Sequence, residues 1–203
     1  MDTIELKKQI INSVKNICFF KSNSKYIIEK FYLSSRNIKL YTMNKNENGI
    51  FNIKFESEIK NESMVYDIEL HPKYSRLLLS SLYDGNINLW EIPKSKENDL
   101  IIKSTIHAHD STVICSSFNP VSDNIFLSSS ENEIKIWDLN KFTYQNNYSY
   151  KNTQNIIKWK DENKFGYFKD NNIYINDYKN EENNQILNIN ELIKDFFLSK
   201  MIN

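Results

Sequence analysis

Histidine, cysteine, serine and an acidic residue gather in one short stretch of the 203-residue chain. His107, His109, Asp110, Ser111 and Cys115 are residue types that can bind a metal ion or form a nucleophilic site. A metal site needs further ligands with matching geometry. A nucleophilic serine needs a base and an oxyanion hole, which three consecutive residues do not supply. We therefore predict no metal, no cofactor and no catalysis at this stretch.

The remaining acidic pairs and the glycines do not form a catalytic pattern either. Glu131 and Glu133 fall in a predicted turn, where we expect solvated loop charges. The three glycines, Gly49, Gly85 and Gly166, are too far apart for a phosphate-binding loop. The whole sequence thus predicts a protein that is not an enzyme.

Charge and composition give no reason to expect binding to nucleic acid or to a membrane. Lys plus Arg and Asp plus Glu each number 26, so the formal net charge is zero. The two cysteines, Cys18 and Cys115, lie in apolar runs and are expected to be reduced core residues. The sequence shows no signal peptide and no run of about 20 apolar residues. We therefore expect a cytoplasmic protein without a membrane span.

The strands expected to position the residues 107–115 belong to a sequence pattern that occurs twice in the chain. One copy runs from Met64 to Pro93 and a second from Thr112 to Asn140. The offset between the copies is 48 residues at the prolines and 47 at the tryptophans. A period near this length, with a strand that ends in Trp137-Asp138-Leu139, predicts a WD-repeat β-propeller. The positions that correspond are Val65 and Val113, Leu70 and Phe118, Pro72 and Pro120, Ser80-Ser81 and Ser128-Ser129, Ile87 and Ile134, Leu89 and Ile136, and Trp90 and Trp137.

Each copy is expected to form the strands of one propeller blade. Val65 begins an alternating strand that stops at Pro72, because proline cannot continue a ladder. The apolar run 77–79 favours a strand that is buried on both faces. Gly85 then turns the chain, because glycine adopts a positive φ at little cost. Residues 100–106 give the more polar outer strand.

Weaker copies flank these two, and the sequence divides into a lead-in, an array of blades and a C-terminal segment. The lead-in favours a short helix or a strand, and the C-terminal segment favours equally a helix or the start of a fifth blade. Because WD-repeat rings usually have seven blades, four recognisable blades predict an all-β fold with an incomplete ring. The ranges are 1–15 for the lead-in, 16–188 for the blades (approximately 16–56, 64–106, 111–148 and 154–188) and 189–203 for the C-terminal segment.

In proteins with this repeat, a His, a Ser or Thr, an Asp and the Trp can form a buried hydrogen-bond network. In the third blade His109, Ser129 and Trp137 supply three of these parts, while residues 131–133 stand where Asp is expected. We therefore predict a partial network in which these residues have a structural role.

The second blade lacks a different part of the same network. Asp84, Trp90 and either Ser80 or Ser81 are present, but Asn61 stands where His is expected. We predict that this network is also partial and that its members are structural.

One face of the predicted propeller gathers the loops from outer to inner strands and the loops between second and third strands. This face mixes charges with tyrosine, which suits a protein interface, although an inert solvated face has a similar composition. Its candidate protein-binding residues are Arg36, Lys60, Tyr83, His107, Glu131, Lys151 and Lys169.

The second blade of the predicted propeller, at about residues 64–106, resembles coronin, the actin-associated family of WD-repeat proteins. The resemblance lies in Val65-Tyr66-Asp67-Ile68, His71-Pro72, Asp84-Gly85 and the exit Leu89-Trp90-Glu91-Ile92-Pro93. Further matches, associated with the third and fourth predicted blades, are Ala108-His109, Phe118-Asn119-Pro120, Ile136-Trp137-Asp138-Leu139, Lys169-Asp170 and Ile175-Asn176-Asp177. The resemblance implies binding to actin filaments and a role in the cytoskeleton, with Lys15 and Arg36 as the rough candidates for contact with actin.

A second reading of the sequence is a scaffold subunit whose ring is completed by a partner chain or by self-association. An incomplete ring is expected to leave the inner side of its first blade and the outer side of its fourth blade uncovered. The apolar residues predicted on these faces are Ile17, Phe19, Ile27, Ile173 and Ile175.

Overall fold

A computed structural model provides the structure of the protein. It describes residues 16–21, 28–34, 37–45, 48, 50–74, 76–92, 100–141, 143–149, 153–169, 172–180 and 184–188, and for part of the strands it describes the backbone alone. The predictions for the lead-in and for the C-terminal segment lie outside these residues.

Four antiparallel sheets of four strands each make up the described part of the chain. The first sheet contains β1 (Asn16–Lys21), β2 (Ile28–Ser34), β3 (Asn37–Lys45) and β4 (Phe51–Lys60). The second contains β5 (Val65–Leu70), β6 (Leu77–Leu82), β7 (Asn86–Glu91) and β8 (Ile101–His107). The third contains β9 (Cys115–Phe118), β10 (Ile125–Ser129), β11 (Glu133–Asp138) and β12 (Thr143–Ser149). The fourth contains β13 (Thr153–Trp159), β14 (Lys164–Lys169), β15 (Asn172–Asp177) and β16 (Gln185–Asn188).

The strands of every sheet follow one another in chain order, and each sheet packs against the next one along the chain. The first strands of the sheets lie side by side, because β5 contacts both β1 and β9, and β9 contacts β13. Sheets packed in this way, with their first strands at the centre, form the blades of a β-propeller. The prediction of an all-β, partial propeller is confirmed.

Apolar side chains fill the spaces between neighbouring sheets. The three tryptophans belong to these layers, since Trp90, Trp137 and Trp159 are only 2%, 3% and 6% exposed. Their burial agrees with their place in the repeat, where the strand alternation turns each indole toward a neighbouring sheet.

The expectation that Ile173 and Ile175 stand uncovered is wrong. In the fourth sheet Tyr167 is the cross-strand partner of Tyr174, and both pack toward the third sheet. By alternation Ile173 and Ile175 point the other way, yet they are 4% and 7% exposed. The expectation assumed that only a further blade covers this face. The structure does not describe the side chains of Ile17 and Phe19, and it does not describe Ile27 at all.

The described residues contain no helix that is long and apolar enough to cross a membrane.

Candidate functional site

A continuous hydrogen-bonded chain of side chains crosses the interior of the third sheet. Trp137 Nε1–H donates to Ser128 Oγ at 2.7 Å, and Ser128 Oγ lies 2.6 Å from His109 Nε2. The other ring nitrogen of His109, Nδ1, lies 2.8 Å from Glu133 Oε1. Lys135 Nζ lies 2.9 Å from the same carboxylate oxygen. One loop and two strands are thereby joined through five side chains.

The available donors fix the proton positions in this chain. A carboxylate only accepts hydrogen bonds, so Nδ1 of His109 carries the proton and donates to Glu133. Nε2 of His109 then accepts from the hydroxyl of Ser128, whose oxygen accepts from Trp137. Burial of the imidazole lowers the pKa of His109 below its ordinary value, although Glu133 acts in the opposite direction. The imidazole is therefore neutral at pH 7.

Ser128, His109 and Glu133 have the mutual geometry of a nucleophile, a base and an orienting acid. The arrangement is closed to a substrate, because Ser128 and His109 are 0% and 1% exposed. The Ser128 oxygen also holds the indole of Trp137 against it. These residues consequently hold the blade together and do not form a reaction site.

Two predictions for this network need correction. The serine that joins His109 to the tryptophan is Ser128, and not Ser129, because residues of a strand alternate between faces and only Ser128 shares the face of Trp137. The network is complete and not partial, because Glu133 supplies the acid from the first position of β11. The sequence feature that could have identified Ser128 is its strand position, because Ser128 lies on the same face of the sheet as Trp137.

The buried network fixes the loop that carries His109 against the second sheet. The backbone N–H groups of Ala108 and His109 both donate to Gly85 O, at 2.9 and 3.0 Å. Lys135 Nζ donates to Ala108 O at 2.8 Å. Gly85 has a φ of 86°, as the sequence predicts for this turn.

The corresponding network in the second sheet is partial, as predicted. Trp90 Nε1 donates to Ser80 Oγ at 2.9 Å, which settles the choice of serine. Asp84 is exposed and takes no part, since its carboxylate accepts from the backbone and side-chain nitrogens of Asn86 at 3.2 and 3.0 Å. Asn61, at the position of the missing histidine, donates its backbone N–H to Asn37 Oδ1 at 3.4 Å.

A second set of polar contacts, absent from the sequence predictions, links the first strands of three sheets. Asp67 Oδ2 on β5 accepts from Ser116 N on β9 at 2.9 Å. Glu69 Oε1 on β5 accepts from Ser117 Oγ at 3.2 Å. Lys158 Nζ on β13 pairs with the other oxygen of Glu69. Carboxylates of the second sheet thus contact both the third and the fourth sheet.

The surroundings of these groups shift their proton affinities. Burial raises the pKa of Asp67 to about 6, a change that Lys158 opposes and Glu69 reinforces. Burial acts to lower the pKa of Lys158, but the carboxylate of Glu69 outweighs it and the pKa is raised. Burial also raises the pKa of the Cys115 thiol, so the thiol stays protonated and unreactive, as expected for a core residue.

A third set of contacts joins the opposite ends of the second and third sheets. His71 Nε2 lies 3.0 Å from Asp123 O. Tyr74 OH donates to Asp123 Oδ2 at 2.7 Å, and Lys73 Nζ lies 2.8 Å from Asp123 Oδ1. The pKa of the Asp123 carboxyl is lowered chiefly by the hydrogen bonds from Lys73 and Tyr74. These contacts of residues 71–74 with Asp123 join the second and third sheets at the edge opposite to Gly85.

The loops at the Gly85 edge of the second and third sheets form one continuous surface. Backbone and side-chain bonds connect them, among them Tyr83 N to Met64 O at 2.9 Å, Asp84 N to Ser63 Oγ at 3.2 Å and Thr112 Oγ1 to Tyr83 O at 3.1 Å. We call this surface, made of residues 61–64, 83–85, 107–114 and 130–132, the loop face.

The loop face is acidic. Its exposed ionisable side chains are Glu62, Asp84, Asp110, Glu131 and the imidazole of His107, and none of its residues is a lysine or an arginine. A surface of this composition attracts positively charged groups.

The predicted protein-binding residues fall in different places relative to this surface. Tyr83 lies on it, is 58% exposed and stacks on Tyr66 with a ring distance of 6.2 Å. His107 also lies on it, where Nδ1 is 3.0 Å from Asn86 Oδ1. Lys60 is exposed at the end of β4, beside it. Arg36 and Lys151 lie outside the described residues, and Lys169 ends β14 without a described side chain.

No group of three or more His, Cys, Asp or Glu side chains in the described part of the chain has the geometry of a metal site.

Comparison with protein families identifies one repeat in the chain. Residues 101–138 match the family model described as WD domain, G-beta repeat. The match covers β8 of the second sheet and β9, β10 and β11 of the third, so the sequence repeat and the blade are offset by one strand. A search of the curated proteins finds none that matches the chain. The chain therefore contains a WD40 repeat, and it has the fold of a partial WD-repeat propeller, a type of domain that generally serves as a non-catalytic interaction module.

Proposed function

We propose that the protein is a non-catalytic interaction module that binds a partner protein through the loop face. The observation that carries the proposal is Tyr83, which is 58% exposed although its ring stacks on Tyr66 and its backbone N–H donates to Met64 O. A rigid, exposed aromatic ring among charged residues suits a protein contact, because it buries a large area at a small entropic cost.

Capture of partners by the full chain tests this function. The tagged chain and its Tyr83→Ala variant are used to isolate binding proteins, which are quantified by mass spectrometry. Ile101→Ala is the matched control, because Ile101 is 55% exposed on the outer strand β8 and lies off the loop face. We expect specific partners to be lost with Tyr83→Ala and kept with Ile101→Ala. Equal capture by all three proteins, or none, would reject the loop face as a binding surface.

Filamentous actin is the partner that the resemblance to coronin implies, with a cytoplasmic, cytoskeleton-associated location. Only the sequence matches support this finer proposal, such as Val65-Tyr66-Asp67-Ile68 followed by His71-Pro72. Cosedimentation of the chain with actin filaments tests it directly. A chain that stays in the supernatant at all filament concentrations would reject the actin proposal and leave the interaction module intact.

A role as a scaffold subunit completed by another chain is the second candidate. The packing of the described sheets supports it, because contacts between sheets run in chain order from the first to the fourth. Light scattering of the purified chain separates the possibilities. A dimer or larger assembly is expected if copies of the chain complete one another, whereas a monomer would contradict completion by self-association.

A further inference from the structure

A pocket opens on the loop face at the junction of the first and second sheets. It has a volume of about 550 Å³ and lies between the end of the link 61–64 and the turn after β6. Its lining includes Glu62, Met64, Tyr83 and Asp84. The pocket is therefore wide enough for one long side chain of a partner protein.

The walls of the pocket are held in place by bonds that do not involve a ligand. Asp84 N donates to Ser63 Oγ at 3.2 Å, and Tyr83 N donates to Met64 O at 2.9 Å. On the other side of the link, Asn61 N lies 3.4 Å from Asn37 Oδ1. Because the walls are already fixed, binding does not have to order them, which favours affinity.

The charged groups among the described residues of the pocket are carboxylates. Within the described part of the chain, Glu62 has neither a hydrogen-bond nor an ion-pair partner, and it is exposed. Asp84 uses one site on each oxygen to bind Asn86, which leaves the remaining lone pairs available. Among the described residues that line the pocket, there is no lysine or arginine to neutralise them.

The third component of the pocket is the exposed ring of Tyr83. A guanidinium group stacks on an aromatic ring and forms two parallel hydrogen bonds with a carboxylate. An ammonium group makes a point contact and lacks the planar surface for stacking. We propose, building on the proposed function, that the pocket receives an arginine side chain of the partner protein, with its guanidinium between Tyr83 and the carboxylates of Glu62 and Asp84.

Titration of the isotope-labelled full chain with short peptides tests the proposal. The probes are acetyl-Gly-Gly-Arg-Gly-Gly-amide and the same peptide with lysine or with citrulline, which keeps the shape of arginine without its charge. We expect the arginine peptide to shift the amide signals of residues 62–64 and 83–85. Lysine is expected to bind more weakly and citrulline more weakly still.

Variants connect the binding to the pocket. Tyr83→Ala and Glu62→Gln are each expected to weaken binding of the arginine peptide by roughly fivefold. Glu162→Gln removes the same charge from an exposed residue away from the loop face and is the control, with an expected change below about twofold.

Three results would overturn the proposal. They are equal binding of arginine and citrulline peptides, signal shifts away from the pocket, and an effect of Glu162→Gln as large as that of Glu62→Gln. If one of these three results is found while the full chain still captures partners in a Tyr83-dependent manner, arginine recognition is rejected and the interaction function stands. Loss of capture as well would reject both.

Discussion

Gly85 and His109 approach each other so closely that no side chain fits between them. Gly85 O accepts the backbone N–H of His109 at 3.0 Å. A Cβ atom built on Gly85 would lie 2.0 Å from His109 O. This contact between a turn of the second sheet and the link to the third places the loop face on a rigid junction.

Replacement of Gly85 by alanine is therefore expected to be costly. The φ of 86° disfavours any L-residue, and the clash is with backbone that cannot turn aside. We expect Gly85→Ala to lower the free energy of unfolding by at least about 2 kcal/mol in urea denaturation. The neighbouring Tyr83→Ala serves as control and should cost less than about 1 kcal/mol, since its ring is exposed. Equal midpoints for the two variants would contradict the role of the contact.

Two buried serines, Ser128 in β10 and Ser81 in β6, should respond differently to replacement by alanine. Ser128 connects Trp137 and His109, so Ser128→Ala leaves two buried groups unsatisfied and should cost about 2–3 kcal/mol. Ser81 Oγ is buried without a hydrogen-bond partner among the described groups. Ser81→Ala should thus be neutral or slightly stabilising. Chemical denaturation of both variants measures the difference, and similar losses would show that the network contributes little.

The contribution of the Asp67 carboxyl to the stability of the protein should fall as the pH rises through its pKa. Burial raises this pKa from 3.8 to about 6, so the folded state binds the proton more tightly than the unfolded state. The resulting stabilisation is fully present below about pH 4 and is lost as the pH rises through 6. Over this window Asp67→Asn should gain up to about 3 kcal/mol relative to the wild type.

Unfolding measured between pH 4 and pH 7 gives this comparison. Ser81→Ala alters the cross-strand neighbour of Asp67 without adding an ionisable group, so its pH profile should run parallel to that of the wild type. If Asp67→Asn also ran parallel, the carboxyl would not titrate in this range.

The ion pair between Lys158 and Glu69 should contribute modestly to stability. The Lys158 side chain is 41% exposed, so solvent and salt screen the attraction. We expect Lys158→Met to cost about 1 kcal/mol at low salt and less at 1 M salt, as measured by thermal unfolding. A loss that does not depend on salt would point to packing of the lysine stem as the cause.

The blades could be predicted from the sequence because each is a local pattern. Pro72, Gly85 and the tryptophans mark strand ends and turns by their own backbone and packing requirements. The partner of His109 could not be predicted, because it depends on the reach of a side chain across two strands. The pairing of Glu69 with Lys158 was missed for a similar reason, since the two residues meet only when three sheets are assembled.

The acid that serves His109 stands in the strand, at Glu133, and not in the preceding turn. Glutamate has one methylene more than aspartate, so it can deliver a carboxylate to the same imidazole from a displaced backbone position. Substitutions in the turn, here at Glu131 and Asn132, therefore leave the imidazole of His109 with its acceptor. The contact at His109 thus tolerates changes in the turn, in keeping with a family match that includes this blade although no aspartate stands in its turn.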